Sequence, residues 1–102
     1  MTQLAGIIGV GSYVPQKRVT NHDLEQMLDT SDEWIRSRTG IEARHFAAEG
    51  EDTSHMAIAA AKEAIGKSNI EAHQIGLILV ATVSPDRAFP SVACQVQEAI
   101  GA

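Results

Sequence analysis

Four kinds of residue in this chain could do chemistry: a tryptophan and arginine pair, one cysteine, four histidines and several neighbouring carboxylates. Trp34 and Arg38 are four positions apart, so on a helix they share one face. A flat ring beside a guanidinium fork suits a planar, phosphate-bearing ligand such as a nucleotide. The same spacing also suits a tryptophan that plugs a core and an arginine in a surface ion pair. Cys94 lies near an expected helix start, where a thiol can be activated, yet no basic residue is near it in sequence. Cysteine is among the most buried residue types, so a structural role is expected for it. His22, His45, His55 and His73 show no spacing of three or four that would set two on one helical face for a metal, and all four are expected at the surface. The acidic neighbours Asp32 and Glu33, and Glu49, Glu51 and Asp52, suit helix capping or solubility better than paired acid and base catalysis.

The stretch from Asp29 to Ile41 must position the first pair. Thr30 with Glu33 three residues on spells a capping box, and Gly40 supplies a left-handed stop, so about two turns of helix are expected between them. Before it, Ala5 to Val10 is an apolar run without alternation, expected as a strand buried on both faces and ended by Gly11, Ser12 and Pro15. Gly9-Val10-Gly11 fails as a dinucleotide-binding turn, because Val14 stands at the third glycine position; the glycines fit close backbone packing better. Gln16 to Val19 is expected as a polar connection, then a short helix capped by Thr20 or Asn21 and running to about Leu28, with Leu24, Met27 and Leu28 as its stripe.

Ile41 to Ala47 is an edge-strand candidate, and residues 48–52 form an acidic turn. Thr53 or Ser54 is expected to cap the longest helix, about His55 to Lys67, whose Ala57, Ala60, Ala61 and Ala64 imply a tightly packed neighbour beside Ile65. Ile75 to Val83 reads as a central parallel strand, apolar on both faces and in need of more cover than the chain supplies. Ser84 to Pro90 is a loop at that strand's C-terminal end, where open α/β sheets place their sites. Ser91 caps a last helix, Val92 to Ile100, with Val92, Val96, Ala99 and Ile100 expected on its buried side.

A length of 102 residues fits one small domain or a piece of a larger one, with no room for a second. Apolar residues at 44% exclude disorder, and a net charge of −5 with scattered Lys and Arg excludes a nucleic-acid partner. A single cysteine excludes an internal disulfide, and the longest apolar run is far short of a membrane span. The N-terminus does not read as a signal peptide, so a cytoplasmic protein is expected.

Asp29 to Ile35 followed by Arg38-Thr39-Gly40-Ile41 resembles the signature of β-ketoacyl-acyl carrier protein synthase III, which starts bacterial type II fatty acid synthesis. Ile8 to Pro15, Gln74 to Ile78, and Phe89-Pro90-Ser91 through Ala93-Cys94-Gln95 resemble it too, in order and at the family's spacing. The resemblance implies a thiolase-like layered α-β-α-β-α fold, of which residues 1–102 form the N-terminal part of the first half, without a second domain.

It also implies an acyltransferase that moves an acyl group from coenzyme A to a cysteine, then condenses it with malonyl-acyl carrier protein. Carried over by position, Trp34 resembles the residue that stacks on the adenine of coenzyme A, with Thr30, Arg38 and Thr39 as polar and cationic neighbours. Phe89 resembles the residue that crosses the dimer interface to line the partner's acyl pocket, where its size favours short primers. The catalytic cysteine, histidine and asparagine of the family fall beyond Ala102, and Cys94 matches a non-catalytic family cysteine. The chain alone is therefore expected to be inactive, with the acyl-CoA thioester as substrate rather than cofactor, no metal, and a homodimer when full length. The alternative is a non-enzymatic module that binds coenzyme A or a carrier protein, or one that oligomerises.

Overall fold

In the computed structural model, which describes residues 2–102, the backbone divides into two compact units: residues 14–51, and residues 2–13 with 52–102. The first unit is built on an antiparallel pair, β1 (Lys17–Thr20) and β2 (Ala43–Phe46), in the register Lys17 to Phe46 and Thr20 to Ala43. The polar connection expected at residues 16–19 is thus a strand. Its single buried apolar residue, Val19, is too little alternation to announce one. The edge strand expected over Ile41–Ala47 does form, as its central four residues.

Helix α1 (Asn21–Glu25) follows β1 directly, and Thr20 caps it: its hydroxyl accepts the Asp23 N–H at 3.1 Å while the Asp23 carboxylate accepts the Thr20 N–H at 2.8 Å. The helix stops short of the expected Leu28. The Gln26 and Met27 N–H groups already bond three residues back, to Asp23 and Leu24, so the chain tightens into turns, leaving Met27 and Leu28 exposed. Helix α2 (Asp32–Thr39) then ends at Gly40, whose φ of 73° is the left-handed stop expected there.

What locks these elements together is Asn21, fully buried at the start of α1. Its amide nitrogen donates to Asp32 Oδ1 at 2.9 Å and to the Ile41 carbonyl at 2.7 Å, and its oxygen accepts from Arg44 Nη2 at 2.7 Å. Its backbone N–H reaches the Glu42 carbonyl at 3.0 Å. One side chain therefore ties the first turn of α2, the chain beyond its end, and β2. All its hydrogen-bonding capacity but one is used, which is what makes a buried amide tolerable.

The second unit packs α3 (Thr53–Gly66) against α4 (Val92–Ile100), with the 3-10 turn Ala72–Gln74 between them in sequence. The bounds of α4 and its Ser91 cap match expectation, and Val92 and Val96 are its buried residues. Ala99, expected beside them, is exposed. Nor does Thr53 or Ser54 cap α3: the cap position is Asp52, whose side chain makes no capping bond.

The close packing read from glycine and alanine is present. A Cβ on Gly9 would stand 2.5 Å from the Ala64 carbonyl oxygen, and one on Gly11 would overlap the Ala60 carbonyl, so this segment runs against the backbone of α3. Only hydrogen side chains on one partner and methyls on the other allow that approach.

Neither apolar run forms the expected strand. Residues 5–10 and 75–83 join no ladder among the described residues, because a strand exists only through a partner's hydrogen bonds and none is offered to either. Their side chains show the expected want of cover: Ile78 and Val80 are half-buried, whereas Leu77 and Leu79 are 75% and 84% exposed. No helix among the described residues is long and apolar enough to cross a membrane.

Candidate functional site

Helix α2 carries the tryptophan and arginine pair, and its first turn sets their direction. The capping box expected from Thr30 and Glu33 is replaced by a cap one residue later: Ser31 is extended, and its hydroxyl accepts the Trp34 N–H at 3.1 Å. The Asp32 N–H is taken by Glu25 Oε1 at 2.7 Å, so α1 caps α2 as well. The shift releases Thr30 from capping, and with Asp29, Ser31 and Trp34 it lines a shallow recess of about 340 Å³.

Trp34 is 56% exposed and so does not plug a core. The Arg38 guanidinium carbon lies 5.6 Å from the centroid of its ring, inside the range of a cation–π contact. Ile35, about 100° around the helix from Trp34, is the residue that enters the core. The result is an indole surface open to solvent with a fixed positive charge beside it. Asp29 lines the same recess, so an anionic group is favoured only near Arg38.

Thr39 is placed differently from its neighbours. Its hydroxyl donates to the Ile35 carbonyl at 2.7 Å and accepts the Ile41 N–H at 3.0 Å. It closes the end of α2 and holds the turn at Gly40, leaving one lone pair for anything else.

Asp32 is held below its ordinary pKa, first by the hydrogen bond from Asn21, against a partial desolvation that opposes it, and then by Arg36. Arg36 Nε reaches Asp32 Oδ2 at 3.0 Å, an i,i+4 ion pair on the same helix. Arg36 is thereby committed to the fold, and Arg38 is the arginine of α2 that faces the indole.

Phe89 belongs to the second unit, on the loop from Ser84 to Pro90, where it is 89% exposed. That loop is strapped to the start of α3. The Asp86 carboxylate accepts the Ser54 N–H at 2.8 Å and the Ser54 hydroxyl at 2.9 Å, and Gln95 Nε2 stands 3.4 Å from it. The Thr53 hydroxyl donates to the Ser84 carbonyl at 2.7 Å. Partial desolvation would raise the Asp86 pKa, but the bonds from Ser54, its own N–H and Gln95 outweigh it, and the carboxyl lies below its ordinary value.

Cys94 is exposed, contrary to its expected burial. It borders a recess of about 250 Å³ with Ile75, Leu77 and Ile78, and the Ser91 hydroxyl is 3.3 Å from its sulfur. No basic side chain hydrogen-bonds that sulfur among the described residues, so no base is placed to activate it. The four histidines are at the surface as expected. His45 Nδ1 is 2.6 Å from the Pro15 carbonyl, which fixes the proton on that nitrogen, and His55 meets the Tyr13 ring edge-on at 5.5 Å. Among the described residues, no three His, Cys, Asp or Glu side chains gather as a metal site would require.

Asn21 and Asp86 were not singled out from the sequence, where Asn21 stood only as an alternative cap. Both act through partners 9 to 32 positions away, and local spacing carries no trace of such bonds.

No family model matches the chain. It is 66% identical over 98 residues to β-ketoacyl-[acyl-carrier-protein] synthase III of Geobacillus kaustophilus, a match that covers 96% of this chain and 32% of that protein. The enzyme of the same name from Escherichia coli is 58% identical over 95 residues, 93% of this chain and 30% of its own. The crystal structure of 3-oxoacyl-[acyl-carrier-protein] synthase III from Aquifex aeolicus superposes with a TM-score of 0.88 at 49% identity, over 94% of this chain and 31% of that one. The priming β-ketosynthase of the R1128 polyketide pathway superposes with a TM-score of 0.87 at 31% identity, over 94% of this chain and 29% of that one. The chain thus spans about a third of the length of the relatives it matches, and its fold is a part of their thiolase-like layered α/β fold.

Proposed function

We propose that this chain supplies the coenzyme A entrance of a β-ketoacyl-acyl carrier protein synthase III. Such a protein is an acyltransferase that loads an acyl group from acyl-CoA onto a cysteine and condenses it with malonyl-acyl carrier protein, initiating type II fatty acid synthesis. The observation that carries the proposal is the exposed Trp34 ring with Arg38 beside it on a doubly capped helix. Trp34 stacks on the adenine, Arg38 meets the phosphates, and Thr30 offers a hydroxyl from the same recess. Thr39 acts chiefly by holding the helix end that orients Arg38. Phe89 lines the acyl pocket of the second subunit of a cytoplasmic homodimer.

The thioester is a substrate, and no cofactor or metal takes part. Among the described residues the Cys94 sulfur has the Ser91 hydroxyl and no basic side chain as hydrogen-bond partner, which supports the reading that the 102 residues alone turn over no substrate. A chimera tests this reading, with these residues replacing the matching third of the Geobacillus kaustophilus enzyme. It should transfer acetyl groups from acetyl-CoA, and Trp34→Ala should raise KM for acetyl-CoA by about tenfold, the loss of roughly one good contact. Unchanged KM in that variant would remove Trp34 from the site.

A second reading is favoured by the bare side chains of Leu77 and Leu79: the chain by itself associates through this apolar run. Light scattering that shows a folded monomer at micromolar concentration would dismiss it.

A further inference from the structure

The loop that presents Phe89 is anchored to the first turn of α3 and, by a longer bond, to α4. The free N–H groups at the start of a helix need partners, and Asp52 at the cap position offers no side chain to them. Asp86 does so instead from more than thirty residues away, through the Ser54 N–H at 2.8 Å and the Ser54 hydroxyl at 2.9 Å. An anionic carboxylate there gains from the helix dipole as well as from the hydrogen bonds. Gln95 turns its amide nitrogen to the same carboxylate at 3.4 Å, although this leaves its buried Oε1 without a partner. The reversed amide would set a carbonyl against the carboxylate, which is worse. Ser84 closes the strap, its carbonyl accepting the Thr53 hydroxyl at 2.7 Å.

We infer that Asp86 is a positioning residue for acyl-chain selectivity: by pinning the 84–90 loop to α3 and α4, it fixes where Phe89 can stand. Every residue from 81 to 90 is exposed, so little burial holds the loop, and its placement depends on these polar bonds. The inference rests on the acyl-pocket role given to Phe89 above. Asp86 acts through the backbone of the loop and is not itself a catalytic residue.

Two measurements separate the strap from the pocket. Trypsin cleavage after Arg87 in the 102-residue chain reports opening of the loop. Asp86→Ala removes every bond from this side chain and should speed that cleavage by about tenfold or more. Asp86→Asn keeps an oxygen for the Ser54 N–H and should fall between the two, which also covers the case in which the alanine variant does not fold. In the chimera described above, the ratio of kcat/KM for a medium-chain acyl-CoA to that for acetyl-CoA should rise in Asp86→Ala, as it does in Phe89→Ala. Cleavage at the wild-type rate in both Asp86 variants would overturn the strap. Faster cleavage with an unchanged ratio, in a protein whose Phe89→Ala variant does shift the ratio, would overturn the selectivity role. An unchanged ratio in Phe89→Ala would instead overturn the pocket reading, and the strap would then be judged by cleavage alone.

Discussion

The Arg38 guanidinium lies over the Trp34 ring, 5.6 Å from its centroid, on a helix capped by Ser31 at one end and Gly40 at the other. Because the contact is exposed, it is worth only about 0.5–1 kcal/mol to the fold. Removing Arg38 should therefore hardly change stability, and a change in ligand affinity will report binding. Arg38→Ala in the chimera should raise KM for acetyl-CoA about tenfold or more, the loss of a charge-assisted hydrogen bond. Arg38→Lys should recover part of it, since the charge returns without the planar fork. Equal KM in all three proteins would detach Arg38 from the ligand.

Among the described residues of the first unit, Asn21 is the fully buried side chain. Asn21→Ala leaves Arg44 Nη2, the Ile41 carbonyl and one Asp32 oxygen without this partner, and unpaired buried groups cost about 1–3 kcal/mol each. Allowing for water at the partly buried partners, a loss of about 3 kcal/mol is expected. Urea unfolding followed by Trp34 fluorescence measures it, since the single tryptophan lies in this unit. A shift below about 1 kcal/mol would show that water replaces the amide at little cost.

Helix α2 was legible because both of its ends are spelled in local residue types. Its cap is misplaced by one because Thr30, Ser31 and Asp32 are all competent caps and only the observed extended Ser31 decides. Residue type favours burial of Cys94, whereas helical period places it on the open side: two residues past the buried Val92 is about 200° around the helix. The strand pairing was not legible. Val19 and Arg44 pair across 25 positions, and polar residues around Val19 hide the strand, while the two most strand-like runs in the chain form no ladder. The Asp86 strap is likewise nonlocal.

Gly11 should be intolerant of any side chain. Its Cβ would overlap the Ala60 carbonyl and meet the Ala64 nitrogen at 2.6 Å, backbone atoms that cannot rotate away. Gly11→Ala is expected to cost about 1–3 kcal/mol, in the range of overpacking. Gly6→Ala, with nothing within 4 Å, is the matched control and should be neutral or slightly stabilising. Thermal melts followed by circular dichroism compare the two. If they melt together, the segment from Gly9 to Gly11 does not run against α3 in solution.

The Asn21 and Asp32 bond also sets a pH dependence. The Asp32 carboxyl is held below its ordinary value of 3.8, chiefly by the Asn21 amide and then by Arg36. A pKa lower in the folded than in the unfolded chain means that the unfolded chain binds the proton first as pH falls. The stabilisation is thus complete above the ordinary value and is lost as pH drops through the lower, native one. Asp23, lowered mainly by hydrogen bonds at the Thr20 cap, titrates in the same window, so the wild-type curve alone does not isolate Asp32. Asp32→Asn does: it keeps an oxygen for Asn21 but has no proton to gain. Urea midpoints read from Trp34 at steps between about pH 5 and 2.5 should fall less steeply in this variant than in the parent. Parallel curves would mean that the carboxylate is no better solvated by Asn21 than by water.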